Sequence, residues 1–262
     1  ASNNVAIGCG ALGANTTGEV NTAVGTASMV TNTTGFGNTA LGKNSLYTNN
    51  GNNNTAVGHE ALELNTSGAS NVAVGRQALE KNTTGQQNTA VGVNTMQCNT
   101  TGQYNSAFGF QAMNRNTDSE GNTGIGYQSL YTNTTGDANT AVGRDALVSN
   151  TTASNNTAVG KDSLKANTTG AVNTAIGSQA LFSNTTGCCN VAIGGDTMYT
   201  NSTGCYNVAI GKNTLEANTT ANNNTAVGFS AMAANTTGYI NVAVGRDAMK
   251  ANTTGQGNVG IG

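Results

Sequence analysis

Five cysteines, one histidine and twelve acidic residues are the side chains through which this 262-residue chain could do chemistry. His59 is the lone histidine, so a nucleophile–base pair built on imidazole would need a partner that nothing in the local sequence supplies. The acidic residues are scattered and form no recurring pair spaced for acid–base work. The glycines are not gathered into a phosphate-cradling loop with a lysine, and the Gly-Gly-Asp nonapeptide that holds calcium is absent. No enzymatic activity and no cofactor are therefore expected. The cysteines are Cys9, Cys98, Cys188, Cys189 and Cys205, and their odd number leaves at least one unpaired or intermolecular.

Charged residues make up only 8% of the chain and the formal net charge is −2, which argues against nucleic acid or an anionic membrane as partner. No apolar run approaches the roughly 20 residues that cross a bilayer, so no membrane insertion is expected. With 36 Gly, no Pro and no Trp, the composition is that of a biased, repetitive chain.

The repeat spans the whole chain. The motif Asn-[Thr/Val/Ser]-[Ala/Gly]-[Val/Ile/Leu/Phe]-Gly begins at Asn4, Asn21, Asn38, Asn54, Asn71, Asn88, Asn105, Asn122, Asn139, Asn156, Asn173, Asn190, Asn207, Asn224, Asn241 and Asn258. Every spacing is 17 except one of 16, where the Asn-Thr-Thr-Gly loop shortens to Asn49-Asn50-Gly51. We number the unit from its first Asn, so that it reads N-T-A-V-G-x-x-A-L-x-x-N-T-T-G-x-x. Residues 1–262 are read as one continuous repeat domain, a window on a longer fibre. Two short apolar segments per unit, each followed by Gly or Asn, predict an all-β fold. The expectation is a parallel β-solenoid or β-roll of about fifteen 17-residue coils with two short strands per coil, roughly 70 Å long at the parallel-strand spacing.

Stacking in register places like residues over one another. Position 4 is always apolar and position 9 is always Leu or Met, which predicts a core containing Val24, Val57, Ile176, Leu79, Leu147 and Met198. Asn at positions 1 and 12 can stack into amide ladders. Position 3 is Ala or Gly in all sixteen motifs, with no drift into polar residues. If position 4 faces the coil interior, position 3 faces the other way. Ala23, Ala73, Ala141 and Ala209 are then expected to face another subunit, because the first strand reads as constrained on both sides.

The repeat also gives the cysteines a geometry. Cys188 and Cys205 share a position in successive units, 17 residues apart, so their Cα atoms should lie about 4.8 Å apart. That is within disulfide range; a bridge and a pair of stacked free thiols both fit. Asn15, Asn32, Asn82, Asn133, Asn184 and Asn235 match the Asn-x-Ser/Thr glycan-acceptor pattern. A turn held by local Asn and Thr hydrogen bonds explains the same residues and is the preferred reading.

Segments such as Asn190-Val191-Ala192-Ile193-Gly194 and Asn207-Val208-Ala209-Ile210-Gly211 resemble the head repeats of trimeric autotransporter adhesins. The full unit, as in Asn173 to Cys189, is also similar to repeat tracts of phage-type tail-fibre proteins. The resemblance runs the length of the chain, although the present unit is longer than the adhesin unit and carries an extra Asn-Thr-Thr-Gly loop. It implies a left-handed roll and a homotrimer. It also implies an extracellular shaft or head segment on a virion tail fibre or a bacterial surface, with cell-surface glycans or a receptor met through a distal domain. A self-assembling filament and an ice-binding, surface-templating solenoid are the alternatives.

Overall fold

The chain is described by a computed structural model covering residues 1–262. Each repeat contributes one three-residue strand, which begins at position 2, directly after the motif Asn. The strands fall in two compact units, Ala1–Thr135 and Gly136–Gly262. The first unit holds β1 (Val5–Ile7), β2 (Thr22–Val24), β3 (Thr39–Leu41), β4 (Thr55–Val57), β5 (Val72–Val74), β6 (Thr89–Val91), β7 (Ser106–Phe108) and β8 (Thr123–Ile125). The second holds β9 (Thr140–Val142), β10 (Thr157–Val159), β11 (Thr174–Ile176), β12 (Val191–Ile193), β13 (Val208–Ile210), β14 (Thr225–Val227), β15 (Val242–Val244) and β16 (Val259–Ile261). Within each unit the strands pair in parallel with the copies before and after them. The register is invariant: Thr157 meets Thr174, Ala158 meets Ala175 and Val159 meets Ile176. The chain is a parallel β-solenoid.

The second apolar segment is not a strand, contrary to the expectation of two per coil. Its residues at positions 7 and 9 sit in the left-handed region in coil after coil, as at Ala27 (φ 56°), Met29 (φ 51°), Gln77 (φ 56°) and Leu79 (φ 51°). A left-handed residue at every second position forbids an extended segment. Coil-to-coil pairing continues nonetheless, with Met29 N donating to Ser45 O at 3.0 Å and Leu79 N donating to Thr95 O at 3.0 Å. Left-handed geometry costs an L-residue roughly 1–2 kcal/mol. What it achieves is a tight corner that turns the position 9 side chain into the coil.

The interior reverses the expected inside and outside of the strand. Ala23, Ala73, Ala141 and Ala209 are fully buried, so they do not face another subunit. Leu79, Leu147 and Met198 are fully buried, as expected. Val24 and Val57 are only half-buried, and Ile176 is exposed. The cause is the bore of a 17-residue coil. The position 3 side chain meets the position 9 side chain directly: a Cβ added to Gly124 would stand 2.8 Å from Met113 Cγ. A methyl group opposite Leu or Met fills the space, and a second branched side chain would not fit.

Position 5 is glycine because the next coil is too close for anything else. Gly160 has φ +132°, and a Cβ there would lie 2.5 Å from Gly177 O. Position 17 is left-handed too, yet it carries β-branched residues at Val20 (φ 56°), Val172 (φ 61°) and Ile240 (φ 56°). Elsewhere the same corner is occupied by Asn155 (φ 62°) and Asn223 (φ 58°). Asn tolerates this region far better than Val. Val172→Asn is expected to raise stability by about 1 kcal/mol, read as a higher denaturant midpoint at unchanged m-value; a lower midpoint contradicts the strain.

Candidate interaction surface

Two polar columns run inside each unit and fix how the coil is closed. The position 1 amide crosses the coil to the position 15 carbonyl: Asn71 Nδ2 donates to Gly85 O at 2.8 Å. The position 12 amide donates to the same carbonyl, Asn82 Nδ2 to Gly85 O at 3.0 Å. The pattern recurs at Gly68, Gly102, Gly170 and Gly187. The columns also bond along their own length. Asn82 Nδ2 donates to Asn65 Oδ1 at 2.7 Å, and Asn88 N donates to Asn71 Oδ1 at 3.0 Å. Both predicted ladders are thus present.

These bonds remove the glycan acceptors from reach. Asn32, Asn82, Asn133, Asn184 and Asn235 are completely buried, and Asn15 is half-buried. Asn184 Nδ2 is occupied by Asn167 Oδ1 at 2.9 Å and Gly187 O at 3.0 Å. A glycan on any of the five fully buried amides would have to be attached before the coil closed, and it would prevent closure. The acceptor reading is therefore corrected: the Asn-Thr-Thr pattern is structural.

The loop threonines divide by position. At position 13 the hydroxyl donates to the carbonyl of the next coil's position 13, as Thr83 Oγ1 does to Thr100 O at 3.0 Å. That carbonyl is heavily shared, since the backbone N–H groups of Thr83, Thr84 and Gly85 also point at Thr100 O. The shortened repeat meets this demand differently. Asn50 supplies its side-chain oxygen, accepting from Thr33 N at 2.9 Å, Thr33 Oγ1 at 2.7 Å and Thr34 N at 3.3 Å. The sequence signals the deletion, whereas the role of Asn50 as a stand-in carbonyl emerges only from the stack. Asn50→Ala strips three donors of their acceptor at an exposed loop and should cost about 1 kcal/mol, with Asn50→Asp close to wild type; equal midpoints for the two variants would contradict the role.

With alanine inside, the outer face of each strand carries positions 2 and 4. In the first unit these are Thr or Val (Ser at 106) followed by Ile7, Val24, Leu41, Val57, Val74, Val91, Phe108 and Ile125. In the second the outer pairs end on Val142, Val159, Ile176, Ile193, Ile210, Val227, Val244 and Ile261. Position 4 is exposed at Leu41, Phe108, Ile125, Ile176, Ile193, Ile210 and Val244, at 36–48%. No charged residue occurs in either column. Eight strands at about 4.8 Å and three residues at about 3.3 Å give each unit an uncharged outer face of roughly 40 by 10 Å, with an apolar column at position 4 beside a mostly Thr column at position 2.

The charges lie on other walls of the coil. His59, at an exposed corner, has Nδ1 3.4 Å from Glu60 Oε2. Asp162 binds Lys165 Nζ at 2.9 Å and Lys161 Nζ at 3.5 Å. Burial pushes the Asp162 carboxyl up, but the two lysines outweigh it and hold it below the usual carboxylate range. Lys250, with Arg246 beside it, likewise lowers the carboxyl of Asp247. Glu63 goes the other way: burial and the neighbouring Glu60 and Glu80 raise it.

A carboxyl raised in the folded state makes folding less favourable as pH rises through its titration. Glu63→Gln should therefore stabilise the chain at neutral pH, with the advantage shrinking as pH falls below the carboxylate range. Paired denaturation curves at neutral and acid pH test this, and a pH-independent gap would contradict it.

Cys188 and Cys205 are brought together, with Sγ atoms 2.9 Å apart. No helix is long and apolar enough to cross a membrane. No protein-family model matches the chain, and no curated protein matches it.

Proposed function

We propose that this chain is a structural segment of an extracellular fibre whose copies associate through the outer face of the sheet. The observation that carries the reading is the position 4 column, apolar in all sixteen motifs while facing outward. A solvent-facing strand normally alternates apolar-in with polar-out. Here the outward position 4 stays apolar beside a position 2 that is Thr, Ser or Val, and the outer face carries no charge over eight strands in each unit.

A second copy of the chain is the occupant best matched to such a face. It offers the same residues at the same rise per coil, so contacts made at one coil repeat at the next. Three copies with their sheets turned inward would bury the outer face of each. That is the homotrimer implied by the resemblance to adhesin heads and tail fibres, with the interface on Val and Ile instead of Ala. A shaft of this kind holds a distal binding region away from a virion or a bacterial surface, and the uniform coil suits a spacer. The ice-templating alternative is weakened because many position 13 hydroxyls are spent on the next coil.

Size-exclusion chromatography with light scattering tests the reading. The expected mass is three chains. The pair Val159→Glu and Ile176→Glu should reduce it to one chain with the circular dichroism of the coil retained. Ala158→Glu should instead unfold the coil, because that side chain points inward. A wild-type monomer at all concentrations would overturn the proposal.

A further inference from the structure

We propose that Cys188 and Cys205 form a reversible disulfide that staples two successive coils of the second unit. Both sit at position 16, at a half-exposed corner, one repeat apart. Cys188 Sγ–H points at Cys205 Sγ from 2.9 Å, and Cys188 N donates to the same sulfur at 3.0 Å. Adjacent parallel rungs hold Cα atoms about 4.8 Å apart, inside the range that a disulfide spans. Bond formation requires the two sulfurs to close by about 0.9 Å from where they stand. Tyr206 N donates to Cys188 O at 3.1 Å and fixes the register between the two turns.

The neighbours of the pair define its partners. Cys189 follows in the chain at the left-handed corner, φ 57°, and its N–H is committed to Ala171 O in the previous coil. Cys9 and Cys98 lie in other coils, in the first unit. The hydrogen bond to Cys205, followed by burial and the nearby Cys189, pushes the Cys188 thiol up to about 12. Cys188 thus keeps its proton at neutral pH.

The oxidant is a small-molecule disulfide. Cys205 Sγ attacks one sulfur of that disulfide and expels the other, the proton of Cys205 passing to the departing small thiolate, which leaves a mixed disulfide on Cys205. Cys188 Sγ then attacks Cys205 Sγ, the second small thiolate leaves, and the proton of Cys188 passes to it. The chain loses two protons and two electrons in forming one S–S bond, and the small disulfide is reduced to two thiols. The staple is independent of the fibre reading, because both sulfurs belong to one chain.

The test uses the full chain treated with oxidised glutathione, blocked with iodoacetamide and cleaved with chymotrypsin, for which Tyr199 lies between Cys189 and Cys205. Peptides from either side of Tyr199 should stay joined until reduced, with Cys9, Cys98 and Cys189 alkylated. The denatured, unreduced chain should keep the mass of one chain, 26.2 kDa. Cys189→Ser should retain the bridge and Cys188→Ser should lose it. Serine is native to position 16 at Ser154 and to position 17 at Ser70, so both variants are compatible with the coil. Full alkylation of all five cysteines, a bridge that survives Cys188→Ser, or a doubled mass would each overturn the proposal.

Discussion

Most coils are closed by a single carbonyl that receives two asparagine amides; at the Asn122 coil Ser119 Oγ accepts from Asn122 Nδ2 and Asn133 Nδ2. At Gly85 O the donors are Asn71 Nδ2 and Asn82 Nδ2, which reach it from positions 1 and 12 of the same unit. Their oxygens then accept from the next coil, so the closure of one turn and the stacking of the next are parts of one network. A buried amide left unpaired costs about 1–3 kcal/mol, and here both ends of each amide are used. Such a network is strongly specifying when complete, because a slipped register would orphan every member at once.

Asparagine takes up so much of the bore that the apolar part of the interior is small. One methyl at position 3 and one Leu or Met at position 9 fill it, with Ala, Ser or Thr at position 8 between them. The hydroxyls among these find carbonyls, as Thr95 Oγ1 does on Gly109 O at 2.6 Å. The larger strand residues are consequently displaced to the outside. That displacement creates the apolar position 4 column on the outer face, and so the internal amide clamp and the proposed subunit interface have one cause.

The repeat, the glycine corners, the buried Leu or Met and both asparagine ladders were legible in the sequence, because each depends on residue type at a fixed period. The polarity of the strand was not. Val and Ile look like core residues and Ala looks neutral, and only the bore of the coil reveals that size, not hydrophobicity, selects the inward position. The invariance of Ala was a true signal of close packing, but it pointed into the coil. The left-handed corners at Val20, Val172 and Ile240 were hidden for a related reason: nothing in a β-branched residue announces positive φ, and the neighbouring coils impose it. The shortened loop at Asn49-Asn50-Gly51 was visible in the spacing, but not that Asn50 repairs the hydrogen bonding of a coil one residue short. The contact between Cys188 and Cys205 followed from the period alone.

The central claim is that the asparagine side chains of positions 1 and 12 are structural bonds as firm as the strand ladder. Hydrogen exchange of the side-chain amides, followed by NMR on chain labelled at asparagine, measures this directly. The account predicts that Nδ2 protons of fully buried residues such as Asn71, Asn82, Asn173 and Asn184 exchange as slowly as the backbone amides of β5 and β11. Exchange of those protons at the rate of a free amide, with the strand amides still protected, would contradict it.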